Sequence, residues 1–128
     1  MDVYLIRDAL QTSQIDAELH VAPDGHAATV FMDQADADDQ APCPSLVLLD
    51  LNLPKKSGVE VLKHLRRSAR CRGARVLIVS SSDAQRDRFA VAGLAVSGYF
   101  KKPTDYKGFM QLGPLVRELL DRPPSSDA

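Results

Sequence analysis

Leu46-Val47-Leu48-Leu49-Asp50-Leu51-Asn52-Leu53-Pro54 is the stretch on which the fold of this chain turns. Four aliphatic residues in unbroken succession, with no polar residue at every second place, describe a short strand buried on both faces, the kind found inside a parallel sheet. The run meets an acid at Asp50 and a proline at Pro54, which marks the strand's carboxyl end. A second run of the same type, Arg75-Val76-Leu77-Ile78-Val79-Ser80, also ends on a polar residue. Between them Ser57 stands where a helix N-cap belongs. Val59, Val61, Leu62 and Leu65 follow at helical spacing, and basic Arg66-Arg67 and Gly73 supply stop signals. Strand, helix and strand in this order predict a parallel crossover.

Downstream of Ser80, the polar Ser81-Ser82-Asp83 predicts a helix start, with Phe89, Val91 and Leu94 on its apolar side and Gly93 as its stop. A third strand is expected over residues 96–100, with Gly98 read as a turn glycine. A last helix follows Lys101-Lys102-Pro103-Thr104-Asp105, with Phe109, Leu112, Leu115 or Val116, and Leu119 inward. Gly113-Pro114 should kink it, since proline lacks a backbone donor and crowds the preceding turn. Upstream, Asp24-Gly25 opens a helix over Ala27, Val30 and Phe31, and residues 33–44 read as a polar loop. Ala17, Leu19 and Val21 alternate with Glu18 and His20, the period of a strand. Residues 122–128, with Pro123-Pro124-Ser125-Ser126, have nothing to bury and are expected to be disordered. Residues 1–121 then form one domain, with no internal repeat.

Composition excludes several classes. Of 128 residues, 45% are apolar and 26% charged, the make-up of an ordinary globular domain. Sixteen basic residues against seventeen acidic ones leave a net charge of -1, without the electrostatic footprint of a nucleic-acid or anionic-membrane binder. No apolar run is long enough to span a bilayer and no signal peptide is evident, so a cytoplasmic location is expected. Cys43, between Pro42 and Pro44, and Cys71, among arginines, lack metal-ligand spacing and read as free thiols in a reducing compartment. His20, His26 and His64 are scattered and read as solvated, with no zinc spacing. No glycine-rich phosphate loop of the G-x-G-x-x-G or Walker type occurs, which argues against a nucleotide enzyme on the same architecture.

In an open parallel sheet, reactive groups gather beyond the carboxyl ends of the strands. Three residues are expected at such ends: Asp50, Ser80 and Lys102. A carboxylate can take a phosphoryl group as an acyl phosphate. A hydroxyl can hydrogen-bond a phosphoryl oxygen, and an ammonium offsets the added charge.

These residues and their surroundings, Leu48-Leu49-Asp50-Leu51-Asn52-Leu53-Pro54 followed by Gly58, then Ser80-Ser81-Ser82-Asp83, then Tyr99-Phe100-Lys101-Lys102-Pro103, resemble the receiver domains of two-component response regulators over nearly the whole chain. The resemblance implies an α/β, flavodoxin-like doubly wound parallel sheet in the order 2-1-3-4-5. It implies Asp50 as phosphoacceptor, Ser80 as the switch hydroxyl, Lys102 as the phosphate-contacting lysine and Tyr99 as the switch aromatic. Mg²⁺ would be held by Asp50 and the backbone carbonyl of Asn52. The long polar loop and the words around Asp50 look like the single-domain regulators that serve phytochrome-type histidine kinases, for which pairing of two copies is a further implication. A phosphoacceptor is not a turnover enzyme; at most it sheds its own phosphoryl group.

One part of the pattern departs. Receivers begin with a strand ending in two adjacent acids that hold Mg²⁺. Residues 3–6 can be read as that strand, with Arg7-Asp8 a degraded pair. Alternatively, residues 2–11 form the first helix, with Val3, Ile6 and Leu10 on one face and Leu5 and Ala9 beside it, turning at Thr12-Ser13-Gln14. The second reading leaves room for the crossover and suits the residues better. It implies that the first strand and its acids are missing from this chain, as a mis-assigned start at Met1 would produce. A pseudo-receiver, an interaction module that kept the fold and lost the metal site, is the rival reading of the same departure.

Overall fold

The computed structural model describes residues 3–51, 57–80 and 88–121. In chain order these form α1 (Val3–Thr12), α2 (Gly25–Ala37), β1 (Leu46–Leu49), α3 (Gly58–Arg66), β2 (Arg75–Ser80), β3 (Gly98–Lys101), α4 (Tyr106–Phe109) and α5 (Leu112–Asp121), and residues 88–90 are also helical. The chain packs as two compact units, one made of Val21–Lys101 and the other of Met1–His20 with Lys102–Ala128.

Within Val21–Lys101, the three strands pair in parallel in the order β1-β2-β3, the last three places of the expected 2-1-3-4-5 sheet. The central strand β2 is buried on both faces, through Val76 and Ile78 on one and Leu77 and Val79 on the other, as its unbroken apolar run requires. Leu49, Val61, Leu62, Leu65, Val76 and Ile78 form the core with Met32 and Ala35 from α2. The helix starts follow the capping rule: the Asp24 carboxylate accepts from Ala27 N at 2.8 Å, and Ser57 Oγ accepts from Glu60 N at 3.3 Å.

Several expectations need correction. Residues 17–21 form no strand; among the described strands none pairs with them, and alternating residues without a sheet edge to take their backbone groups stay in coil, with Ala17 and Val21 exposed. The loop expected from residue 33 begins only at Asp38, because α2 continues through Met32 and Ala35, buried three residues apart on its inner face. Its polar face has partners: Asp33 Oδ1 lies 2.7 Å from His64 Nε2, so that histidine is paired. In the coil before the helix, His20 Nε2 lies 3.1 Å from Glu18 Oε1. Asp36 accepts from Ser68 Oγ, Arg70 N and Ala69 N; the Ser68 hydroxyl, first among these, holds its carboxyl below the usual value. The α3 helix ends at Arg66, well before Gly73. The β3 strand is set two residues later than expected at its start and takes in Gly98. Gly93 does act as a helix-stop residue, at φ 82°. Phe89, expected on a buried face, is 86% exposed, while Val91 is buried.

The cysteines are the largest correction. Cys43 and Cys71 are joined as a disulfide, with their Cα atoms 5.3 Å apart. Spacing along the chain carried no hint of it, because the α2–β1 loop and the α3–β2 turn meet only in the fold.

Arg66, read as a basic helix end, instead reaches inward. Its Nε donates to Leu94 O at 2.8 Å, Nη1 to Arg72 O and Ala74 O at 2.7 Å each, and Nη2 to Ala95 O at 2.9 Å. Partial burial of the guanidinium lowers its pKa.

In the other unit, residues 3–12 are helical, so Val3–Ile6 is not a strand and Arg7-Asp8 is not a degraded acidic pair. Ile6, Ala9 and Leu10 are buried. The helix closes as a Schellman turn, with Gln14 at φ 57°, its N–H on Gln11 O and Ile15 N on Leu10 O. Arg117 Nη2 donates to Ser13 O and, at 3.0 Å, to Gln14 O. The kink expected at Gly113-Pro114 is a full break: α4 ends at Phe109 and α5 restarts at Leu112, which puts Pro114 in a first turn where its missing donor costs nothing. A Cβ on Gly113 would lie 2.1 Å from Ser13 Oγ and 2.6 Å from Ala9 O, so only glycine lets α5 approach α1 this closely. Tyr106 hydroxyl donates to the Asp8 carboxylate, which raises the phenol's pKa. The disorder expected of residues 122–128 lies outside the described residues.

Candidate functional site

Register places the reactive residues. Leu49 pairs with Ile78, so Asp50 and Ser80 both stand beyond the last β1–β2 pair, at the carboxyl rim of neighbouring parallel strands. Each is largely withdrawn from solvent, Asp50 at 8% exposed and Ser80 at 3%. Ser80 is also level with Lys101 of β3.

The backbone around Asp50 is held by the start of α3. Gly58 N donates to Leu51 O at 3.1 Å, and a Cβ at Gly58 would meet Asp50 O at 2.4 Å and Leu51 Cα at 2.5 Å. Helix and strand end can touch here only because residue 58 has no side chain. The sequence showed Gly58 at a fixed distance from Asp50 but not what that glycine spared.

Tyr99 lies in β3, paired with Ile78 and packed half-buried against the core. The Arg88 guanidinium carbon sits 4.8 Å from the centre of its ring, a cation–π contact for which the sequence offered no signal. Asn52 lies outside the described residues. Lys102 follows β3 directly and belongs to the unit that also holds α1, α4 and α5. The structure thus brings Asp50 and Ser80 to one rim, with Tyr99 one strand away.

The described residues do not amount to a Mg²⁺ site. Among them no group of three or more His, Cys, Asp or Glu is placed to hold a metal ion. Asp50 is a single carboxylate, and Arg7-Asp8 sit on a helix rather than at a strand end, whereas hard cations need a near-octahedral set of oxygens. What the rim offers chemically is a carboxylate at one strand end and a hydroxyl, able to donate a hydrogen bond, at the neighbouring one. No described helix is long and apolar enough to cross a membrane.

Comparison with known proteins agrees with this architecture. The family model for the response regulator receiver domain matches residues 3–112. The chain is 36% identical over 111 residues to response regulator Rcp1 of Synechocystis sp., covering 87% of this chain and 76% of that protein. It spans 61%, 29% and 35% of the next three curated relatives, which extend beyond it. Among solved structures, the phosphorylated cyanobacterial phytochrome response regulator RcpA superposes with a TM-score of 0.80 at 32% identity, covering 93% of this chain and 85% of that one. The Mn²⁺-bound form of Rcp1 gives the same score and identity over 99% of this chain and 91% of that one. With a parallel α/β sheet, an acid and a hydroxyl at its carboxyl rim, and a family match over most of its length, the chain belongs to the response regulator receiver domains of two-component signalling.

Proposed function

We propose that this receiver accepts a phosphoryl group on Asp50 from a histidine kinase and passes on the resulting change of shape. The observation that carries the proposal is that a largely buried Asp50 and a buried Ser80 both stand at the carboxyl ends of adjacent parallel strands. An Asp50 carboxylate oxygen bonds to phosphorus, the phosphorus–nitrogen bond of the donor phosphohistidine breaks, and the released imidazole takes a proton from solvent. The Ser80 hydroxyl donates to a phosphoryl oxygen and the Lys102 ammonium offsets the new charge. As Ser80 moves toward the phosphoryl group, Tyr99 turns inward behind it and alters the surface at β3 and the last helices.

A phytochrome-type kinase is the proposed donor, a reading supported by the likeness to Rcp1 and RcpA. A cytoplasmic location and pairing of two copies belong to the same reading. The chain acts as a phosphoacceptor and at most hydrolyses its own acyl phosphate.

Intact-mass spectrometry after acetyl phosphate and Mg²⁺ tests this. Wild type should gain one phosphoryl mass and D50A none. An unmodified wild type, or a gain that survives D50A, overturns it. A second reading is an interaction module with no working phosphorylation; its ground is that Arg7-Asp8 lie on a helix rather than at the end of a strand. That reading holds if the wild type stays unmodified and its amide spectrum does not respond to beryllofluoride with Mg²⁺.

A further inference from the structure

The bond between Cys43 and Cys71 joins two segments that a second, non-covalent clamp already holds. Cys43 lies in the loop before β1, three residues from its first residue, and Cys71 in the turn between α3 and β2. Beside the sulfurs, Arg70 Nη1 donates to the carbonyls of Ala35, Asp38 and Ala41 at 2.5, 2.8 and 2.8 Å. The Asp36 carboxylate takes Ser68 Oγ and the N–H groups of Ala69 and Arg70, and Ser68 Oγ in turn accepts from Cys71 N at 3.0 Å. The two cysteines differ in access. Cys71 is 2% exposed and belongs to the core, whereas Cys43 is only partly buried, between two prolines that stiffen its loop.

From this we infer that Cys43–Cys71 is a reversible thiol–disulfide couple that sets how firmly the amino end of β1 is fastened, and with it the strand that carries Asp50. The inference is independent of whether Asp50 is phosphorylated. A thiolate of a dithiol reductant attacks Cys43 Sγ, on the less buried of the two residues; the S–S bond breaks, and Cys71 leaves as a thiolate and takes a proton. The reductant's second thiol displaces the first from Cys43, which is released as a thiol. The protein has then gained two electrons and two protons, and the reductant has become a disulfide. With the covalent tie gone, Arg70 and Asp36 still hold loop and turn together. The thiols stay within reach, and a disulfide of the glutathione class can close the bond again without a search through unfolded conformations.

The experiment is an alkylation and melting series on the full chain. In oxidised glutathione both cysteines should resist maleimide. After dithiothreitol both should react upon mild unfolding, the Tm should fall by about 10 °C, and the amides of residues 46–50 should exchange hydrogen faster. Returning the protein to oxidised glutathione should restore all three readings. C43S, altered at the accessible end so that the core is spared, should melt like reduced wild type and ignore reductant. R70A should re-form the bond about tenfold more slowly, since reclosure would depend on the clamp. Two freely alkylated thiols in oxidised glutathione, equal melting of both forms, or a C43S protein that still responds to reductant would each overturn the inference. Reclosure of R70A at the wild-type rate would remove its reversible half.

Discussion

Replacing Arg66 with methionine keeps an apolar stem of similar length and removes a guanidinium that donates to four backbone carbonyls. Two of those bonds, to Leu94 O and Ala74 O, are partly buried, and two, to Arg72 O and Ala95 O, are exposed. A charge-assisted bond away from water contributes about 1.5 kcal/mol, while an exposed one contributes a few tenths. The sum is about 3 kcal/mol, and no intact protein donor replaces it, since the freed carbonyls at residues 74 and 94 must find water. For a chain of this size that corresponds to a fall in Tm of about 12 °C. Urea and thermal unfolding of R66M measure it, and R72A is the control: it removes an exposed side chain but leaves the Arg72 carbonyl that Arg66 uses. R72A should stay within about 0.5 kcal/mol of wild type. An R66M protein melting within about 3 °C of wild type, or an R72A protein as unstable as R66M, would show that the carbonyl bonds do not fasten the end of α3.

Two further outcomes follow from single contacts. G58A puts a methyl group 2.4 Å from Asp50 O, against backbone that cannot rotate away; stability should fall by about 2 kcal/mol, and phosphoryl uptake at Asp50 should drop well below that of a surface variant with equal stability, read by intact mass. Asp36 is held below its usual pKa of 3.8 chiefly by the Ser68 hydroxyl, so its contribution is fully present above pH 3.8 and is lost as acid titrates the carboxyl in the folded protein. The gap in urea midpoint between wild type and D36N should therefore be constant near neutrality and close only below about pH 4; a gap unchanged down to pH 2.5 would refute this assignment.

What could be read from the residues alone was whatever depended on near neighbours in the chain. The aliphatic runs ending at Asp50 and Ser80 had to be strands, and Asp24 and Ser57 had to cap helices, because both arguments need only a few residues of context; burial on both faces holds for β2 but not for β1, which lies at the edge of the described sheet and fully buries only Leu49. Asp50 and Ser80 reached one rim because a strand-helix-strand unit lays its two strands parallel, carboxyl end beside carboxyl end. The misread features all needed a partner far along the chain. Ala17, Leu19 and Val21 carry a strand's period, yet period alone supplies no sheet edge. Residues 33–37 look like loop until Met32 and Ala35 are seen facing the core. Cys43 and Cys71 are 28 residues apart, and Arg66 passes for a surface cation until the chain brings residues 72, 74, 94 and 95 around it. Phe89 failed in the opposite direction, for a helical stripe says which residues share a face and not that the face is covered.

The fit of Gly113 against α1 limits how the last helix could ever be rebuilt. Of the three atoms an added Cβ would strike, Ser13 Oγ and Ser13 Cβ could be removed by a compensating change to glycine, but the Ala9 carbonyl belongs to the main chain and no substitution removes it. A designer seeking a stiffer start to α5 would have to spend effort at Gln111, Pro114 or Arg117, all turned to solvent, and treat position 113 as part of the scaffold's geometry rather than of its alphabet.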